Sequence, residues 1–229
     1  MTLKNHVILI TGAAGGLGSA LALQCAELGA ELLLLDKNMS ALARLSDKLV
    51  AAGHREPAIC EMDLSRAQTS EFEELAALVD GEFGALDAVI HCAAEFDGLR
   101  PLEHTTRDHW DASLNVNLLS AWHIVTACLP HLRASGKGRI VLIGENSAVT
   151  KSAYWGPYGV SKAALKSLAQ VMSEELEGTG VELIWTVPEP MATGLRARAY
   201  LSEDPATLRE PAGVADEIIQ SLTASFAAG

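Results

Sequence analysis

Rings are scarce in this chain: aromatic residues make up 5% of the sequence, so its interior has to be aliphatic. Cysteine is scarce too. Cys25, Cys60, Cys92 and Cys128 stand far apart with no Cys-x-x-Cys pair, which argues against a disulfide framework and for reduced, cytosolic thiols. Positive charge is short as well. The 17 Lys and Arg face 29 Asp and Glu, a net charge of −12, so the field of the whole chain repels nucleic acid and anionic membrane surfaces. No apolar run approaches the roughly 20 residues of a membrane span, and nothing before Val7 has the basic, apolar and cleavage regions of a secretory signal. The expected location is the cytoplasm. Seven histidines are present, but none has a Cys or carboxylate partner at ligand spacing, and no metal site is expected.

Aliphatic residues in two alternating rhythms are plentiful. Short apolar runs at His6 to Thr11, Glu31 to Asp36, Pro57 to Met62, Leu86 to His91, Arg139 to Gly144 and Val181 to Val187 read as strands, separated by stretches with apolar residues at three- and four-residue spacing. That order predicts an α/β fold: a Rossmann-type doubly wound parallel sheet of about six strands in three layers, with helices on both faces. The 229 residues show no linker, repeat or shift in composition, so a single domain over 1–229 is expected. The longest helical stretches, Thr106 to Leu132 and Gly156 to Leu176, carry more small and apolar residues than one sheet face needs, which suggests a homodimer through them.

The first strand runs into Thr11-Gly12-Ala13-Ala14-Gly15-Gly16-Leu17-Gly18 and then into a helical stretch. A strand turning sharply into a helix presents that helix's unpaired N–H groups, and residues without side chains let a pyrophosphate approach the backbone. The second strand ends at Asp36, 24 positions beyond Gly12, where a carboxylate meets an adenosine ribose and repels a 2′-phosphate. NAD(H) is therefore preferred. NADP(H) is not excluded, because the ammonium of Lys37 follows directly. Asp63, with Leu64 beside it, is expected either at the adenine or as the cap of a helix over Ser65 to Leu75. These features alone also suit a methyltransferase that binds S-adenosylmethionine.

Tyr158 and Lys162 lie four apart at the start of a helical stretch and so share a face. A cation beside a phenol favours the phenolate, which makes Tyr158 a candidate general acid or base. At this point the sequence resembles the short-chain dehydrogenase/reductase family over most of its length. The match is carried by Thr11-Gly-x-x-x-Gly16-x-Gly18, Asp63, the strand ending in Ala93, Asn117, Tyr158-x-x-Ser-Lys162 and Pro188 with Thr193. The resemblance implies that Tyr158 exchanges a proton with substrate, while Lys162 binds the nicotinamide ribose and lowers the tyrosine pKa. It implies too that Asn117 holds a relay water and that Thr193 contacts the nicotinamide amide or the pyrophosphate.

Departures from the family pattern concern the same site. The serine usually found thirteen positions before the tyrosine is Glu145 here. An ionised carboxylate about 4 Å from a developing alkoxide costs about 4 kcal/mol at an effective dielectric of about 20. Either Glu145 is protonated and donates a hydrogen bond, or it turns away and pairs with Lys151, or another group serves. Ser147 on a bulged loop is favoured for that part, with the Asn146 amide as an alternative. The family's Asn-Ala-Gly becomes Cys92-Ala93-Ala94, and its Pro-Gly becomes Pro188-Glu189. After the helical stretch Ala212 to Ala224 no room remains for the family's usual seventh strand, which makes a tetramer less expected than a dimer. Phe96, Tyr154, Trp155 and Met191 are candidate substrate contacts, under a mobile cover formed by about 193–210.

The leading expectation is hydride transfer between a nicotinamide cofactor and a secondary alcohol or ketone. The alternative is a dinucleotide-binding protein with weak or lost catalysis.

Overall fold

The computed structural model describes residues 2–228. Six strands form one parallel sheet: β1 (Val7–Thr11), β2 (Glu31–Asp36), β3 (Ala58–Glu61), β4 (Ala88–His91), β5 (Arg139–Ile143) and β6 (Glu182–Thr186), in the spatial order β3-β2-β1-β4-β5-β6. The helices are α1 (Gly16–Glu27), α2 (Met39–Ala51), α3 (Thr69–Glu82), α4 (Arg107–Leu114), α5 (Ser120–Ala134), α6 (Ser147–Thr150), α7 (Gly156–Glu175), α8 (Gly194–Ala199) and α9 (Pro211–Ala228). The doubly wound α/β architecture expected from the alternation is present, with most strands a residue or two shorter than their apolar runs.

Why the strands read as unbroken apolar runs is visible in β1. Val7 and Leu9 enter one core with α3, α5 and α7, while Ile8 and Ile10 enter a second core with α1, α2 and α9. Period-two alternation sends side chains to both faces, and both faces are covered by helices, so no polar face is needed. The chain winds outward from β1 to β3 and then returns to β4 beside β1, with Thr11 in register with His91. That reversal opens a crevice at the carboxyl ends of β1 and β4, where open parallel sheets bind ligands.

Two helical expectations are corrected. No helix runs from Ser65 to Leu75: α3 starts at Thr69, after a capping box in which Gln68 and Glu71 serve each other's backbone N–H. Asp63 instead closes a turn, accepting from Ser65 N at 3.1 Å and Ser65 Oγ at 2.7 Å. The long stretch around Thr106 to Leu132 is helical but widens to a π turn over Asn115–Leu119. By length and composition Arg107–Ala134 is apolar enough to cross a membrane. In this fold its apolar side is spent on the sheet, with Ile124, Val125, Cys128 and Leu132 buried.

Candidate active site

The crevice above the strand ends is a cleft of about 760 Å³. Its glycine side is Gly12, Gly15, Gly16, Leu17 and Gly18, and Asp36, Cys92, Ala93, Ala94, Pro188 and Thr193 also line it. Gly12 has φ +62°, and a side chain there would strike the backbone of Ala93 at 2.8 Å, so only glycine fits between β1 and β4. Helix α1 follows Gly15, which offers no side-chain cap and so leaves the first-turn N–H groups for a ligand. Asp36 is fixed, accepting from Ala14 N at 3.1 Å and Asn38 N at 3.0 Å. An uncapped helix start, a side-chain-free loop and a fixed carboxylate in one cleft are the donor set a dinucleotide requires, so these residues fit that cofactor.

Three further expected cofactor residues make their contacts outside the glycine turn. Leu64 is buried in the core shared with α3 and α5. Asp63 stays beside its turn and Arg66, its carboxyl pushed up by burial but held below its ordinary range by the Ser65 hydrogen bonds. Lys37 reaches Glu95 at 3.1 Å and is absent from the cleft lining. Sequence spacing placed all three near a strand end but could not say which way each side chain turns.

On the opposite wall, α7 presents Tyr158 and Lys162 one turn apart, both buried. The Lys162 ammonium donates to Ile143 O at 2.9 Å, and burial pulls its pKa from the usual 10.5 to about 8 against the opposing pull of Glu145. The phenol of Tyr158 departs from expectation. It donates to Glu145 Oε2 at 2.8 Å, and burial, the Glu145 charge and that bond all push its pKa well above 10. The partner that dominates the phenol is a carboxylate rather than the ammonium, so the resting tyrosine is neutral.

Glu145 reaches that position because Gly144 follows the last residue of β5. A side chain at Gly144 would run into the indole of Trp185 on β6, and Gly144 N donates to Thr186 O at 2.7 Å. Glu145 Oε1 accepts from Asn146 N at 2.8 Å, and among the described residues Glu145 makes no ion pair. The expected pairing with Lys151 is therefore corrected. So is the expected hydroxyl: Ser147 starts α6, is exposed, and does not line the cleft. The loop itself borders the cleft through Asn146, Ala148 and Val149. Asn146 spends its side-chain oxygen capping α6 at Ala148 N, 2.8 Å away.

Asn117 lies on the π turn and is fully buried. Its Oδ1 accepts from Glu95 N at 2.7 Å, and its Nδ2 donates to Glu95 O at 2.9 Å and Ser161 Oγ at 2.9 Å. Its amide thus ties the loop after β4 to α7. Thr193 caps α8, accepting from Arg196 N at 3.3 Å.

One end of the cleft is aromatic. Phe96, Trp155 and Tyr158 stack within 5.1 to 5.7 Å of one another, and Tyr200 stands 6.1 Å from Trp155. Met191 lines the cleft, whereas Tyr154 is exposed and outside its lining. The segment after Thr193 is ordered as α8 and a short 3₁₀ turn, closed at its base by a bridge between Met191 and Arg209. Sequence reasoning missed the Ile143 carbonyl, which carries no side-chain signal. It named Thr11 only as part of the glycine motif and missed its contacts: the hydroxyl meets His91 Nδ1 at 3.0 Å and accepts from Ala93 N at 3.1 Å. The adjacency of those two strand ends was the signal that could have found them.

Known proteins share this arrangement. The model of the short chain dehydrogenase family matches residues 6–204. The uncharacterized oxidoreductase YciK of Escherichia coli is 28% identical over 93% of this chain and 84% of its own length. A solved structure from Pseudomonas syringae, described as a short chain dehydrogenase, has a TM-score of 0.88 and 37% identity, over 92% of this chain and 86% of that one. A metagenomic short-chain oxidoreductase in complex with NADP has a TM-score of 0.81 and 26% identity, over 97% and 93% of the two chains. With its parallel sheet, glycine turn and Tyr158/Lys162 pair, this chain belongs to the short-chain dehydrogenase family and is one of its oxidoreductases.

Proposed function

We propose that this chain moves a hydride between a nicotinamide cofactor and a secondary carbon, the alcohol-to-ketone interconversion being the simplest case, with Tyr158 exchanging the heteroatom's proton. The observation that carries this reading is a single cleft that joins the uncapped α1 start to the buried Tyr158 and Lys162. When bound, the cofactor supplies or accepts the hydride; the chain supplies orientation, exclusion of water and the proton. Gly15, Gly16 and the α1 N–H groups hold the diphosphate, and Asp36 the adenosine ribose. Tyr158, neutral at rest, is ready to donate its proton to a substrate oxygen, which takes the place of Glu145 at the hydroxyl. Residues 193–210 cover the substrate.

Two observations pull apart on the cofactor's 2′-phosphate. Asp36 is an anion fixed in the cleft and supports NAD(H), while the NADP of the metagenomic oxidoreductase supports the phosphorylated form. We put NAD(H) first because the carboxylate belongs to this chain and Lys37 is already paired with Glu95. Exposed Leu119 on the π turn, Trp122 on α5 and Val160 and Val171 on α7 support a homodimer through these helices.

The test is fluorescence titration with NADH and NADPH, followed by NADH oxidation against a panel of ketones. NADH should bind about 10-fold tighter, and Asp36→Ala should narrow the gap. Tyr158→Phe should lower ketone turnover about 10²- to 10⁴-fold. Tighter NADPH binding would reverse the cofactor assignment, and cofactor binding with no turnover of any substrate leaves only a nucleotide receptor.

A further inference from the structure

We propose that the polar group this cleft prefers at the reacting carbon is a cationic nitrogen, so that its favoured reaction joins a cyclic iminium ion and the corresponding secondary amine, with Glu145 as the residue that selects it. The inference rests on the hydride-transfer reading and names its substrate class.

Its basis is the charge at the reacting position. Glu145 is a half-buried carboxylate with no ion pair among the described residues, directed at Tyr158 across the substrate end of the cleft. An oxygen substrate is poorly served there. Hydride addition to a ketone builds an alkoxide beside Glu145, and the proton that quenches it must come from a phenol hydrogen-bonded to the same carboxylate. A phenolate facing a carboxylate would remain. For an iminium ion every charge is reversed: the carboxylate keeps the nitrogen protonated, and no proton is needed during the hydride step.

The step balances. Hydride adds to the carbon of C=N⁺, the π pair becomes the nitrogen lone pair, the reduced nicotinamide is oxidised, and a cation plus a hydride give a neutral amine. In the reverse direction, positive charge develops on nitrogen as hydride leaves, and Glu145 stabilises it. Tyr158 then acts as a positioning residue, its hydroxyl holding Oε2 in place.

The surroundings agree. Trp155 and Tyr158 stand together at this end of the cleft, and aromatic faces attract a desolvated cation. Among the described residues, three cations line the cleft: Arg196, Arg198 and Lys162, whose ammonium donates to Ile143 O at 2.9 Å and makes no ion pair with Glu145 although the two charges attract. Arg196 is the one held by a carboxylate of its own. Its guanidinium is held by two 2.7 Å bonds to Glu203 and lies over the Tyr200 ring, so its charge is already matched.

Holoenzyme with reduced cofactor is offered methylpyrroline, a cyclic imine protonated near neutral pH, and cyclopentanone, a neutral ketone of similar size. The expected kcat/KM is about 100-fold higher for methylpyrroline, and Glu145→Gln should erase that preference. Glu145→Ser, which restores a hydroxyl, should turn it toward the ketone. Calorimetric titration of the enzyme with oxidised cofactor should show pyrrolidinium binding about 30-fold more weakly to Glu145→Gln than to the wild type. Tyr158→Phe should slow methylpyrroline reduction only about 10-fold, far less than ketone reduction. Equal or better turnover of cyclopentanone by the wild type, or an unchanged preference in Glu145→Gln, overturns the inference and leaves the hydride-transfer reading standing. Glu145-dependent pyrrolidinium binding without hydride transfer to either substrate does the opposite.

Discussion

Two buried cations stand at opposite ends of β5, and they are treated differently. Arg139, where the strand begins, donates to Ser225 Oγ at 3.0 Å, Ser225 O at 2.7 Å and Gly138 O at 3.1 Å, pairs with Glu182 at 3.3 Å, and lies over the Phe226 ring. Lys162, packed where the strand ends, donates to one backbone carbonyl, and its pKa is down at about 8. An arginine whose fork is filled fastens α9 to the sheet. A lysine with spare donors in a dry cleft is costly to the fold and is what a ligand's hydroxyl groups can use. One end of the strand is built to hold, the other to bind.

Replacing each cation separates these roles. Lys162→Met should lower hydride transfer by about 10³-fold, checked by single-turnover kinetics. The same variant should lose an alkaline rise in stability. Between pH 8 and 10.5 the unfolded lysine keeps a proton that the folded one has released, so wild-type stability climbs with pH across that window, by up to about 1.4 kcal/mol per unit. A denaturant series showing the same climb in both proteins would break the comparison. Arg139→Met should do the reverse, costing about 2 to 3 kcal/mol of unfolding free energy while turnover per folded molecule holds.

The smallest effect belongs to His91, which shares the cleft end with Lys162. Burial, and then the Lys162 charge, lower its pKa from 6.5 to about 3, so it is neutral in the fold. As pH falls below 6.5 the unfolded chain takes up a proton that the folded chain refuses, and stability is lost down to about pH 3. Over the first unit the loss is about 1 kcal/mol, and His91→Asn should flatten it in acid unfolding curves.

The binding half of the molecule was legible because its constraints are local. A strand of β-branched and leucine residues followed at once by glycines leaves few alternatives, and Asp36 follows from strand length alone. The chemical half was less so, because its decisive contacts span 13 or more positions. Nothing in Glu145 or Tyr158 alone says that the two meet, and Ser147 read as a donor only until α6 carried it into solvent. The cap expected at Asp63 failed for a related reason. The same carboxylate suits a helix cap and a turn, and the choice was made by Gln68 and Glu71, which start α3 later.

The indole of Trp185 never enters the cleft, yet it dictates which residue can precede Glu145. Its bulk on the outermost strand works as a gauge block, holding the chain at one separation and thereby fixing how deep the acid projects. Anyone retuning selectivity would have two dials: the acid's identity, and, one strand away, the thickness of the spacer behind it.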